Sequence, residues 1–238
     1  MNIFKTTFFN QFTTWYDKLT EYRHKIHISL FEENGACLLG LGCGLGELTY
    51  QVSKKAEAGN VIGIDMDDRL RDAYKGRIKL IRCDLNNRIP LQDQSIDIIS
   101  ADQIIEHLSN TDLFVEEIFR VLKPGGYAVI GTENLASLYN LFALVLGKQA
   151  FSQFISSRYW LGNPFTPHYK KPVRKGMFHI QVFTIQGLRD ICEFYHLKVE
   201  RVRGIGYFPF LPFWCGKLFE KLCPAHAYFI AVRVRKLK

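Results

Sequence analysis

Residues 38–46 read LLGLGCGLG, and nineteen residues past Gly46 an apolar run, VIGID, ends in Asp65. Glycine at every second position marks a backbone turn too tight for side chains. An acid closing the next apolar run is placed for hydrogen bonding at a strand end. In a doubly wound sheet this pair sets a glycine turn against one end of a nucleoside and a carboxylate against its ribose hydroxyls. The expected ligand is therefore built on adenosine.

The spacing narrows the choice of ligand. Gly40, Gly42, Gly44 and Gly46 cannot be read as G-x-G-x-x-G, the fingerprint that seats a pyrophosphate on a helix N-terminus. A phosphate-cradling P-loop needs Lys-Ser or Lys-Thr where this chain has Glu47-Leu48. The stretch resembles the class I S-adenosylmethionine-dependent methyltransferases, whose motif is an acid followed by G-x-G-x-G. Four more segments extend the likeness in order. Cys83-Asp84-Leu85 ends a third apolar run. SIDIIS leads into ADQIIEHL, similar to the stretch where the family's Glu-His pair opens a helix. RVLKPGGYAVIGT resembles the family's helix end, Pro-Gly-Gly turn and fifth strand. HIQVFTIQGLRDICEFYHLKVERVRG resembles its Phe-Thr cap, long helix and sixth strand. The likeness covers roughly residues 34–134 and 177–234.

What it implies is specific. Gly42, Cys43, Gly44 and Gly46 would lie against the methionine end of S-adenosylmethionine. Asp65 would accept from both ribose hydroxyls, with Met66 over the adenine. Asp84 and Leu85 would frame the adenine edge, and Ala101 to Gln103 the methyl-donor end; the product would be S-adenosylhomocysteine. Methyl transfer from a sulfonium is an in-line displacement with a good leaving group. Positioning can supply most of the rate, and a base is needed only if the acceptor must lose a proton. His179, just before VFT, and His107 are the candidate bases, with His168 a third.

This chain departs from the family pattern at two places. Gly40 replaces the usual acid that helps hold the methionine ammonium. Gln103 replaces the first glutamate of the Glu-x-x-Glu-His run that can hold a divalent metal in ubiquinone-type and small-RNA methyltransferases. Residues 103, 106 and 107 would share one helix face. A neutral amide is a poor ligand for a hard cation, so no metal is expected.

The elements that must position these residues follow from the periodicity. Alternating apolar runs and helical stretches predict an α/β fold, a Rossmann-like, doubly wound, seven-stranded sheet with helices on both faces. By resemblance it is mostly parallel, with the last strand antiparallel beside the sixth. At 238 residues and 47% hydrophobic the chain can bury one such core as a single domain. Residues 1–33 are expected to form a helical cap over the cofactor cleft, with Phe12, Trp15, Tyr16, Leu19, Tyr22 and Ile26 at helical spacing. Residues 135–176 are an insertion: apolar LASLYNLFALVLG suits a buried, dimer-forming or interfacial helix, and the basic, aromatic stretch after it a lid. The segment 206–214 is apolar and broken by prolines.

The six cysteines form no C-x-x-C pair, and no signal peptide or spanning segment is read, so a cytoplasmic location is expected. The net charge of +8 raises the question of nucleic acid. Base methylation is disfavoured: Ala101-Asp102-Gln103-Ile104 stands where exocyclic-amine methylators carry Asp/Asn-Pro-Pro-aromatic, and no Pro-Cys occurs. Ribose methylation of RNA stays open, as does a scaffold that no longer turns over. Basic clusters at 170–175 and 233–238 suit anionic lipid as well as solvent. The expected acceptor is small or lipid-linked, with oxygen favoured and peripheral membrane contact an option. The oligomeric state is not legible.

Overall fold

A computed structural model describes residues 2–33, 37–173, 176–207 and 213–238, with side chains from 16 and, in the last segment, from 216. Cys37–Leu41 (β1), Asn60–Asp65 (β2), Lys79–Arg82 (β3), Ile96–Asp102 (β4), Leu122–Glu133 (β5), Leu197–Ile205 (β6) and Phe229–Lys236 (β7) form one sheet in the order β3-β2-β1-β4-β5-β7-β6. The first five pair in parallel, and β7 runs antiparallel between β5 and β6. This is the expected topology.

Strand alternation sends neighbouring residues to opposite faces. Leu39, Ile99 and Ile130 join one core with helices Thr111–Val121 (α3) and Ile185–Phe194 (α5). Leu38, Ile98 and Val129 join the other with Asn2–Ser29 (α1) and Glu47–Lys55 (α2). The helix Leu138–Val145 (α4) opens the insertion, and Phe213–Leu222 (α6) precedes β7. Helix α4 buries Asn140 and Ala143 but leaves Phe142, Leu144 and Val145 exposed, so it is covered on one side only.

Two expectations need correction. Glu106 and His107 do not open a helix. Strand β4 runs on to Asp102, Gln103 takes a left-handed backbone (φ 55°), Ile105–His107 is a single 3-10 turn, and α3 begins only at Thr111. Asn110 supplies its cap, accepting from the Leu113 N–H at 3.2 Å. Gln103, Glu106 and His107 therefore share no helix face. The basic C-terminal stretch is also no free arm. Arg233 and Lys236 are buried in β7, where Arg233 pairs with Glu32 at 2.6 Å and Glu200 at 2.9 Å, and Lys236 donates to the Phe119 carbonyl. Of the apolar segment at 206–214, residues 208–212 lie outside the described residues, as do the side chains of Phe12 and Trp15.

Candidate active site

The glycine turn leaves β1 with Gly42, Gly44 and Gly46 all at positive φ (66°, 51° and 88°), which side chains rarely adopt. Gly44 faces open space, while a Cβ at Gly46 would strike Leu70. The turn is stitched to β2: the Cys43 N–H donates to the Ile64 carbonyl at 3.0 Å, and the Gly44 N–H to Oδ2 of Asp65 at 2.8 Å. Oδ1 of Asp65 accepts from the Asp67 N–H at 3.1 Å. Each carboxylate oxygen keeps a second lone pair for a hydroxyl donor. Asp65 is itself buried, with Arg69 3.5 Å away at the surface. Open space at Gly44 beside an acid with acceptor capacity fits a nucleoside carrying a bulky substituent.

The other expected cofactor residues divide into side-chain and backbone contributors. Met66 is exposed and free to cover a ring. Asp84 follows β3 and accepts from both the backbone and side-chain N–H of Asn86 at 2.9 Å. Leu85 and Ala101 are buried in the core, and the Cys43 thiol packs against Gly63, so these three offer backbone rather than side chain. Burial pushes the Cys43 thiol up to about 12, which leaves it no nucleophile. Gln103 is held by its N–H to the Gly131 carbonyl at 2.8 Å, and its buried Nε2 has no hydrogen-bond partner among the described residues. A buried unpaired donor at this end of β4 fits a carbonyl or carboxylate ligand. Gly40 is filled by its neighbour: a Cβ there would lie 2.7 Å from Cγ2 of Thr49 and closer still to its Oγ1.

The two candidate histidines meet. The insertion leaves the sheet at Asn134 and returns beside it, with a parallel bridge from Asn134 to Phe183. That return carries His179 to His107, with ring centroids 5.0 Å apart. Donor atoms of Glu106, His107 and His179 lie within 4.8 Å of one another. His107 Nδ1 sits 2.9 Å from the Phe178 carbonyl, and His179 Nδ1 2.6 Å from that of Ser152. A carbonyl only accepts, so both Nδ1 atoms carry the proton and both Nε2 atoms hold a lone pair in the neutral ring. Glu106 is fully buried. Its Oε2 accepts from Thr132 at 2.9 Å and its Oε1 has no hydrogen-bond partner among the described residues. Burial pushes its carboxyl up to about 7, with His179 pulling the other way. Burial likewise lowers His107. His168 is not part of this cluster; it lies in the cleft wall against Trp160, 5.4 Å between centroids.

Beside this cluster opens a cleft of about 850 Å³, partly open to solvent, between α1, the end of β5 and the insertion. Tyr16, Tyr139, Phe151, Trp160 and Tyr228 give it aromatic walls, and His179 lines it too. Glu133, at the C-terminal end of β5, lines it and is 8% exposed. Sequence reasoning passed over Glu133, although the rule that singled out Asp65 and Asp84, an acid closing a strand, applies to it equally. Asp102, which closes β4, was also missed as a structural residue. It holds α1 through Arg23 at 3.2 Å, with His24 and His27 nearby.

Residues 39–130 match the family model described as "Methyltransferase domain". The ubiquinone biosynthesis O-methyltransferase of Rattus norvegicus is 28% identical over 192 residues, covering 76% of this chain and 50% of that protein. The demethylmenaquinone methyltransferase of Lactobacillus johnsonii is 30% identical over 148 residues, covering 53% and 61%. The S-adenosylmethionine-dependent methyltransferase of Mesorhizobium loti superposes with a TM-score of 0.56 at 17% identity, over 86% of this chain and 92% of that one. Over that matched domain this chain is similar to the class I S-adenosylmethionine-dependent methyltransferases, and it shares their fold. It spans about half the length of the first curated relatives it matches.

Proposed function

We propose that this chain binds S-adenosylmethionine and directs its methyl group to an oxygen of a small or lipid-linked acceptor held in the cleft beside β5. The observation that carries this reading is continuity. The Gly44–Asp65 turn, the unpaired Gln103 amide and the Glu106–His107–His179 cluster follow one another along the C-terminal ends of the parallel strands. When bound, the cofactor supplies a methyl carbon on a positively charged sulfur that leaves as a neutral thioether.

The chain's own residues then divide the work. Asp65 accepts from the ribose, Asp84 and the Leu85 backbone meet the adenine, and the glycine turn admits the methionine end. The aromatic walls seat the acceptor and exclude water. His179 Nε2 takes the hydroxyl proton as the acceptor oxygen attacks. A relative named for ubiquinone biosynthesis O-methylation supports oxygen as the accepting atom. Exposed Val145, Ile155 and Phe165 on the insertion suit a chain that meets lipid-linked acceptors at a membrane surface from the cytoplasmic side. No helix among the described residues is long and apolar enough to cross a membrane. The cleft lining includes no lysine or arginine among the described residues, which counts against an RNA acceptor.

The test is calorimetric titration with S-adenosylmethionine and S-adenosylhomocysteine, with NAD as control. Micromolar binding that is lost in Asp65→Ala, followed by S-adenosylhomocysteine release with a phenolic acceptor panel, is the expected result. Binding without release for any acceptor would leave a scaffold, not an enzyme.

A second reading of the histidine cluster comes from its donor set. One carboxylate and two imidazoles, each imidazole oriented by a backbone carbonyl through Nδ1, form a ligand set of the kind that holds zinc. The substitution at Gln103 argues against a hard cation, but His179 supplies a softer third ligand that the local run does not contain. Glu106, His107 and His179 would then hold the ion and bring a hydroxyl to it. Titration of the chelator-treated protein with zinc decides between the readings. Tight binding lost in His107→Ala supports the metal, while turnover unaffected by chelation, yet abolished in His179→Ala, supports the base.

A further inference from the structure

The cleft has a charge pattern that oxygen methylation does not require. Its lining includes two carboxylates, Asp17 and Glu133, and no lysine or arginine among the described residues, in a chain of net charge +8. Glu133 makes no side-chain hydrogen bond or ion pair among the described residues. Arg23 exerts the one described charge that favours its ionised form, and that guanidinium pairs with Asp102 at 3.2 Å and lies over the Phe229 ring. Around Glu133 the aromatic rings form a wall: Tyr139 stacks on Phe151 at 3.7 Å and tilts against Tyr228 at 5.3 Å.

A buried carboxylate without a partner is costly, and chains avoid it unless something binds there. Aromatic rings attract a cation through their electron-rich faces and offer little to an anion. Acid and rings together focus positive charge into this opening. A neutral quinol would use the walls and leave the carboxylate unanswered.

We propose that Glu133 is the specificity-determining residue of the cleft, and that the acceptor carries an organic cation, an ammonium group on an aromatic or apolar body, which Glu133 and the surrounding rings hold. This deepens the reading of the cleft as the acceptor site and rests on it. The ammonium is an anchor and does not react: the hydroxyl at the other end of the same molecule faces His179. Glu133 also offsets the repulsion between a cationic acceptor and the cationic sulfur of the methyl donor.

The experiment uses an isosteric pair, tyramine and tyrosol, which differ by an ammonium in place of a hydroxyl. Both are titrated calorimetrically into the full chain saturated with S-adenosylhomocysteine, and into Glu133→Gln. The expected result is tyramine binding about tenfold or more tighter than tyrosol, a difference that shrinks to about threefold or less in Glu133→Gln. Affinity for S-adenosylhomocysteine stays unchanged in the variant and reports that it is folded. Equal binding of the pair, binding of neither, or a preference that survives Glu133→Gln overturns the proposal. So does a variant that loses affinity for S-adenosylmethionine but not for S-adenosylhomocysteine, because Glu133 would then serve the sulfonium. A Glu133-dependent preference for tyramine without competition against any methyl acceptor would keep the cation site and overturn the reading of the cleft as the acceptor site. The two failures are thereby distinct.

Discussion

Gly40 is where the chain departs most visibly from its family, and its surroundings give the departure a physical form. Opposite it across the sheet stand Gly63 and Ser100, and above it Thr49 of α2 fills the space an acid would need. The missing carboxylate is thus compensated by close helix–strand packing rather than left as a hole. Restoring the acid alone therefore overfills a tight site. Gly40→Asp is expected to lose about 1–3 kcal/mol of stability from overpacking, read by urea denaturation. Gly40→Asp with Thr49→Ala should recover part of that loss and tighten S-adenosylmethionine binding relative to the parent. A single variant as stable as the parent would show that Thr49 moves aside freely. Both the glycine turn and Asp65 were legible because they depend on short spacing and strand ends. Glu133 obeys the same strand-end rule and was overlooked only because no family motif drew attention to it.

At the scale of elements, one buried ion pair fixes α1 against the sheet. Asp102 closes β4 with its carboxylate over Gly131, where a Cβ would collide with it, and Arg23 reaches down from α1 at 3.2 Å. Side-chain exposures of 9% and 3% leave little room for water to replace a lost partner. Burial alone would raise the Asp102 carboxyl, but Arg23, His27 and His24 together hold it below the usual carboxylate range. Arg23→Met is thus expected to destabilise the chain by about 3–5 kcal/mol, because it strands a buried charge. Adding Asp102→Asn should return much of that. A loss below about 1 kcal/mol in Arg23→Met would mean that α1 is held by its apolar face, through Leu19, instead. None of this was readable from the chain, since residues 79 positions apart carry no local signal. The seven strands were readable, because periodicity and turn chemistry are local, while the place of the antiparallel last strand beside the sixth came from the family resemblance. The 3-10 turn at Ile105–His107 was not: the helical pattern of IIEHL is overridden by the extension of β4 to Asp102.

For the molecule as a whole, the buried acids that equip the site set how stability varies with pH. Burial pushes Glu133 and Glu106 up to about 7, well above the ordinary value near 4.3 for an unfolded glutamate, and it raises Glu220 as well. Glu133 and Glu106 are more protonated folded than unfolded between roughly pH 4.5 and 7, so each makes stability fall as pH rises through that window, and Glu220 acts in the same direction. His27, buried and bonded to Ser100 Oγ at 2.9 Å, is lowered to about 4 by burial and acts oppositely between about 4 and 6.5. Ion-paired Asp102, Glu32, Glu117 and Glu200 are held low and affect stability only in acid below about pH 4.5. His24 and His107 are lowered by burial as well, so the three histidines oppose the three glutamates below about pH 6.5; the melting temperature is expected to change little from about pH 5.5 to 6.5, to fall from there to about pH 7.5, and to level off as the buried glutamates ionise. Around Glu133 stand Arg23, Glu106 and the phenols of Tyr16, Tyr139 and Tyr228, of which only Glu106 changes charge in this range. Glu133→Gln should accordingly be more stable than the parent at pH 8, with the two converging only below about pH 4.3, where the unfolded glutamate is protonated as well. A melting curve that rises between pH 6.5 and 8 in the parent, or a Glu133→Gln variant less stable at pH 8, would place the carboxylate in an unseen ion pair. A substitution that stabilises the fold while erasing the preference for tyramine would mark Glu133 as a residue kept for what it binds, since its burial works against the fold.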